Sequence, residues 1–329
     1  MSDGHRPSRR DFLRAIPLAA AASSCGPPAP YRREDFVVPA QSPMAILPAT
    51  SYDADLTDVI TRGLALLGVS VTGRRVFLKP NMVEYESHSA INTHPHVVAA
   101  AAAAFARAGA REIVIGEGPG HRRDIEYLLA GTGLDDVLRE DGLRFVDLNH
   151  DDVRLVPLKS RFMGLDALWL PVALLQSDFI VSMPKLKTHH LAGLTASMKN
   201  LFGVVPGAVY GWPKNLLHFK GIEHSIVDLT ATIRPQLAIV DGIVAMEGDG
   251  PIMGRPRPMG FVAMGSDLPA VDATCARIIG LDPAKVPYLS IASRFLGNVD
   301  DAHVEQRGEH PARYRTQFDV IEAIQKMRA

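Results

Sequence analysis

Between residues 183 and 203 the chain reads MPKLKTHHLAGLTASMKNLFG, three lysines and two adjacent histidines set in apolar text. Lys185, Lys187, His189 and Lys199 are the groups there that can hold an anion or move a proton. A desolvated lysine can shed its proton or add to a carbonyl, and imidazole titrates near neutrality. The choice of lysine is marked. The chain has nine lysines among 35 Lys and Arg, yet from Ser182 to His224 every one of these residues is lysine: Lys185, Lys187, Lys199, Lys214 and Lys220. Guanidinium keeps its proton, so a stretch without arginine points to amine chemistry or to a compact charge facing an anion. Glu223 is the sole acidic residue of that window, which leaves a small anionic ligand as the expected counterion. A solvated face of surface lysines is the competing reading.

Other motifs carry groups to the same place if the fold allows it. VFLKPNM offers Lys79 and Asn81, and NTHPHVV offers Thr93 and His94 at a helix start whose free N–H groups suit an anion. GEGPGHRR supplies Glu117 and Gly118 after a strand, without the lysine of a Walker loop or the spacing of a dinucleotide fingerprint. Asn200, Lys214 and His218 follow the lysine cluster. In MEGDGP, Glu247 and Asp249 stand two residues apart, where they can meet the lysines or, with His189 and His218, form a mixed nitrogen and oxygen set for a divalent metal.

These residues need elements that bring them together. Continuous runs such as EIVIG, FIVSM and LAIVDGIV suit strands covered on both faces, and helical patterns alternate with them. The expected fold is α/β, a mostly parallel, doubly wound sheet with helices on both faces and a β-hairpin excursion over residues 152–174. Helices are expected near residues 55–67, 95–108, 194–203, 223–233 and 269–280, with two further helical pieces between Arg123 and Glu140. Thr93 reads as a cap of one helix, Thr195 or Ser197 of another, and Asp267 with Asp272 of the last. DFIVSM should be interior, so that Lys185, Lys187 and His189 leave its carboxyl end, where such sheets place their ligand crevice. Residues 205–221 read as a long functional loop. The organisation expected is a signal over 1–25, a linker over 26–43, one domain over 44–300 and a peripheral tail over 301–329.

The N-terminal SRRDFLR followed by AIPLAAAASS resembles a twin-arginine export signal, with the export machinery as its partner. The apolar run is shorter than the ~20 residues a spanning helix needs. Cys25 is a candidate lipidation position, so the membrane enters only through a lipid anchor, and the address is periplasmic or extracytoplasmic. With 329 residues, 47% hydrophobic content and a formal net charge of −1, the chain can build a large core and has no basic field for nucleic acid.

The ordered series KPNM (Lys79–Met82), THP (Thr93–Pro95), MPKLKTH (Met183–His189), SMKNLFG (Ser197–Gly203), His218 and DGIVAMEGDGP (Asp241–Pro251) resembles the domain of unknown function 362 family, from Phe77 to Gly280. The resemblance implies motifs and context more than a reaction. Many members carry an added ferredoxin module with clustered cysteines, which implies a redox partner protein. This chain departs there: its cysteines are Cys25 and Cys275, and no iron–sulfur cluster is expected.

Three functions follow as expectations. The first is an exported enzyme that binds a small anionic substrate or phosphorylated cofactor, with Lys185, Lys187 and Lys199 supplying charge and His189 or a lysine moving a proton. The second is a metal-dependent enzyme built on His189, His218, Glu247 and Asp249. The third is an envelope protein that captures an anion without turnover.

Overall fold

The computed structural model describes residues 29–120 and 124–329. The twin-arginine motif, Cys25 and residues 121–123 of the glycine-rich motif lie outside the described residues. In chain order the elements are β1 (Ser42–Pro48), α1 (Leu56–Leu66), β2 (Arg75–Pro80), α2 (Pro95–Arg107), β3 (Glu112–Glu117), α3 (Ile125–Thr132), α4 (Leu134–Glu140), β4 (Arg144–Asp147), β5 (Val153–Pro157), β6 (Ala167–Pro171), α5 (Val172–Leu175), β7 (Phe179–Met183), β8 (Lys185–His189) and β9 (Gly193–Thr195). There follow a 3-10 turn (Lys199–Val204), α6 (Gly207–Tyr210), α7 (Asn215–Phe219), α8 (Ile222–Ile233), β10 (Leu237–Glu247), β11 (Arg255–Gly265), α9 (Leu268–Ile278), α10 (Pro287–Ala292) and β12 (Val304–Gly308).

The main sheet runs β12-β1-β11-β10-β7-β2-β3-β4. From β10 to β4 neighbouring strands are parallel, and β11 is antiparallel to both β10 and β1. This is the expected α/β architecture with a mostly parallel sheet, and β5 and β6 form the expected hairpin beside it. Alternation along each strand divides the interior in two. Met44, Ile46, Phe77, Val114, Ile180 and Val240 face one core, shared with Ile226 and Leu229 of α8 and Val271 and Ile278 of α9. Ala45, Leu47, Val76, Leu78, Ile115 and Val181 face the other, shared with Ile60 and Leu64 of α1 and Val97 and Phe105 of α2. Strands clothed on both sides have no polar face to show, which is why their sequences read as unbroken apolar runs.

Several local expectations are corrected. Residues 194–203 do not form one helix: β9 is followed by the 3-10 turn, which has no side-chain cap, and neither Thr195 nor Ser197 caps it. Ser197 instead donates from its hydroxyl to Asp272 at 2.5 Å. Asp272 lies inside α9, wholly buried, and accepts from the backbone of Ser197 and Met198 and from the Tyr288 hydroxyl, so Asp267 alone caps that helix, accepting from Ala270 N. At α2 the cap is His94, whose Nδ1 accepts from His96 N, rather than Thr93. Part of the stretch read as a linker belongs to the body: the Tyr31 ring stacks on Phe295 with centroids 3.9 Å apart, and Phe36 is in the core. The tail is not peripheral either. β12 pairs with β1, and Phe318, Ile324 and Met327 are buried.

The site is positioned by what happens after β7. Instead of leaving the sheet as a loop, the chain passes Pro184 and continues as β8, which pairs in parallel with the far half of β10 and antiparallel with β9. β10 is long enough to serve both strands, with β7 against Leu237 and Ala238 and β8 against Asp241 and Met246. The lysine cluster therefore rides on a strand, beside the carboxyl ends of β2 and β3.

Candidate functional site

A cavity of about 490 Å³ opens at these strand ends. Its walls come from the end of β2 (Asn81, Met82), the end of β3 (Glu117, Gly118), β8 (Lys187, His189), the 3-10 turn (Lys199, Asn200, Phe202), the 205–221 segment (Lys214, His218) and the β10–β11 turn (Asp249, Ile252, Met253). Nine of the residues expected at a site thus line one cavity together with Gly118. Five others do not: Lys79, Lys185, Thr93, His94 and Glu247.

Each of these five has a structural partner. Lys185 is buried, donating to Asp241 at 2.5 Å and to the Tyr52 hydroxyl at 2.7 Å, and burial lowers its pKa against the pull of Asp241. His94 closes the same cluster: its backbone N–H donates to Asp241 at 3.0 Å, its ring stacks on Tyr52 at 3.7 Å, and burial pulls it down to about 4. Thr93 is a clasp, its hydroxyl accepting from Asn81 N and donating to the Met183 carbonyl. Lys79 is wholly buried behind the cavity wall and pairs with Glu117 at 2.5 Å, while Asn200 accepts from it at 3.2 Å and donates back to its carbonyl at 3.0 Å. Glu247, expected on a crevice turn, ends β10 with its carboxylate buried against Arg255 at 3.0 Å and Asp319 N at 3.1 Å. That contact removes Glu247 from the metal set proposed with His189, His218 and Asp249. Among the described residues no three His, Cys, Asp or Glu side chains gather to hold a metal ion. Asp249 is exposed and lies 3.7 Å from His190.

The cavity lysines differ sharply in what they touch. Lys187 donates to the Ile91 carbonyl at 2.8 Å and the Pro251 carbonyl at 3.3 Å, and burial followed by repulsion from Lys199 and Lys185 takes its pKa well below the ordinary value. Lys214 gives its protons to the carbonyls of Gly118, Phe202 and Gly203 at 2.7, 3.0 and 3.2 Å, and burial lowers it to about 7. It is a strut between the β3 end and the 3-10 turn. Lys199 is different. Its Nζ lies 3.7 Å from the centroid of the Phe202 ring and has no hydrogen-bond acceptor or ion-pair partner among the described residues. Burial first, then the charge of Lys79, brings it to about 7, against the opposing pull of Glu117.

The histidines present opposite faces of the same chemistry. His189 Nδ1 accepts from the backbone N–H groups of Leu191 and Ala192 at 3.1 and 3.3 Å, so its proton sits on Nε2. His218 Nδ1 lies 3.3 Å from the Lys214 carbonyl, which places its proton there and leaves Nε2 with a lone pair. Burial lowers both, and Lys199 is the leading charge pushing each further down. Both are neutral at pH 7, one a donor and the other a base. Asn81 adds an unspent amide: it is 7% exposed, its Oδ1 is buried without a partner, and its side chain makes no hydrogen bond among the described residues.

Tyr52 and Asp241 were missed as partners of Lys185, and so was the apolar share of the cavity wall, Met82, Val83, Leu191, Ile252 and Met253. Asp241 had a visible signal, an acidic residue inside LAIVDGIV, since a carboxylate in a buried strand requires a buried partner. Tyr52, in a polar turn before α1, had none.

Comparison with known proteins adds a family. The thylakoid-associated protein sll1697 of Synechocystis sp. is 31% identical over 252 residues, which are 73% of this chain and 73% of that protein. Among solved structures, the lactate racemase apoprotein from Thermoanaerobacterium thermosaccharolyticum is similar at a TM-score of 0.42 and 14% identity, over 74% of this chain and 59% of that one. A protein from Thermotoga maritima is similar at 0.40 and 12% identity, over 70% of this chain and 59% of that one. A family model, domain of unknown function (DUF362), matches residues 76–277, from the start of β2 to the end of α9. The chain belongs to the DUF362 family.

Proposed function

We propose that the chain is an enzyme that binds a small anionic substrate in the β8 cavity and transfers a proton there. The observation that carries this reading is the meeting in one cavity of a lysine amine with no protein acceptor and two neutral histidines in opposite tautomers. His189 Nε2–H and the Asn81 amide donate to the anion, and His218 Nε2 serves as base. Lys199 ionises at about 7, so near neutral pH it serves both to add charge for the anion and to exchange a proton. Lys185, first expected in the machinery, is assigned instead to holding β8 against β10.

The test is thermal stability of the purified protein with phosphate, acetate, pyruvate, malonate and sulfate. A ligand that binds only the folded state raises the melting temperature by mass action. The parent gains stability from at least one of these anions and Lys199→Met does not. A parent indifferent to the whole panel would overturn anion binding in this cavity. Loss of turnover in Lys199→Arg, with binding retained, separates amine chemistry from charge alone.

Export is a second element of the proposal, supported by Arg9 and Arg10 before Phe12 and Leu13. Precursor of Arg9→Lys with Arg10→Lys should accumulate in the cytoplasm. Cys25→Ser should release the mature form from membranes, and a wild type already free of membranes removes the lipid anchor.

A further inference from the structure

The lysines of the cavity can be sorted by the fate of their N–H groups, and the sorting narrows the ligand. Lys79 is committed to Glu117, Lys214 to three carbonyls and Lys187 to two. A phosphate dianion entering this cavity would meet one amine with no protein acceptor already engaged, Lys199, and would face Glu117 and Asp249 in the same walls. That is a poor setting for two charges. It suits a single carboxylate, received by the free amide of Asn81 and by His189 Nε2–H, with an apolar substituent resting on the wall formed by Val83, Leu191, Ile252 and Met253. The same cavity is lined by an amine that no protein acceptor engages and by a histidine whose Nε2 carries a lone pair.

We infer that Lys199 condenses with the carbonyl of a small 2-oxo acid, forming an imine in the β8 cavity. This rests on the proposed function above and names its substrate class. The Nζ lone pair forms the new C–N bond as the carbonyl π electrons move to oxygen. Both protons of the amine pass in turn through His218 Nε2 to that oxygen, which leaves as water as the C=N bond closes. The two N–H protons thus become the two protons of the water, and no oxidant or reductant is needed. His189 keeps its proton and holds the carboxylate. The resulting imine withdraws electrons from the neighbouring carbon, where His218, once more a free base, can take a proton.

Reductive trapping tests this on the full-length protein as purified. Pyruvate is added with cyanoborohydride at pH 7, and the adducts are located by peptide mass mapping. The expected result is one adduct per chain, on the peptide that carries Lys199, formed at least ~10-fold faster than on the exposed Lys159, Lys220, Lys285 and Lys326, because far more of Lys199 is free amine at this pH. Lys199→Arg should lose that adduct alone and keep the slow surface background. Labelling spread over exposed lysines with Lys199 untouched overturns the inference, as does equal labelling in parent and variant. Because the parent protein is mapped directly, the outcome does not depend on the variant folding. The two readings fail separately: an anion that stabilises the parent but gives no Lys199 adduct leaves anion binding in place and removes the imine.

Discussion

At the scale of single residues, a buried lysine is defined by its acceptors rather than by its charge. Lys185 and Lys199 belong to one lysine cluster in the sequence, and they have opposite consequences. Removing Lys185 strands the Asp241 carboxylate in the interior, and breaking a buried pair this way costs ~3–5 kcal/mol. Lys185→Ala is therefore expected to lower the unfolding free energy by about that amount in denaturant titration, while Lys199→Met leaves it unchanged or raises it. A similar loss in both variants would contradict the division. The second prediction concerns pH. The folded-state pKa of Lys199 is about 7, below the ordinary 10.5, so between these values the unfolded chain binds the proton that the folded chain has released. Stability then rises with pH across that window, because the unfolded state binds more protons there. Lys214, also about 7, adds a slope of the same sign. Ligand-free protein should gain stability from pH 7 upward, and Lys199→Met should flatten the rise in part. The residue types were legible in advance; the partners were not, since Tyr52 and Lys185 are 133 positions apart.

At the scale of elements, the surprise is the piece of chain after β8. TASMKNLFG contains residues that cap helices well, and a helix was the natural reading, but Ser197 and Met198 are taken up by Asp272 of α9. Four donated hydrogen bonds converge on that one carboxylate, which burial raises to about 6 against their pull. They hold the turn in its tight 3-10 form and so place Lys199. A long-range anchor of this kind has no local signature. The turn also presses close to the wall: a Cβ on Gly203 would collide with the Glu117 carboxylate and with Lys79 Nζ. Gly203→Ala should cost ~1–3 kcal/mol, the range for overpacking a filled interior. It should also shift the cavity groups, read as a weaker anion-induced rise in melting temperature. An alanine variant with the stability and anion response of the parent would show that the wall yields.

For the whole molecule, the parallel half of the sheet and its two cores were legible because strands buried on both faces must be apolar throughout. The antiparallel half was less so. β11 begins at Arg255 with RPRPMG, a half-exposed stretch whose strand character comes from pairing with β10 rather than from its own composition. The C-terminal residues read as a polar tail because their buried side chains, Phe318, Ile324 and Met327, are spaced among charged ones and match neither helical nor strand periodicity. No helix among the described residues is long and apolar enough to cross a membrane.

The continuation of β7 into β8 gives the cavity two walls that keep different time. The wall bearing Lys187 and His189 belongs to the central sheet, and its amides are released only when the sheet itself opens. The opposite wall, residues 205–221, is made of two single-turn helices with exposed Val209 and Phe219, and such segments open locally and often. Hydrogen–deuterium exchange should therefore find β8 among the slowest amides of the protein and α6 and α7 among the fast ones. A bound anion should slow the second group and leave the first unchanged; equal exchange on both sides would contradict this. A ligand is then expected to leave by way of the 205–221 wall, so changes around His218 should alter its residence time, while Lys199 keeps its place on the turn that Asp272 anchors.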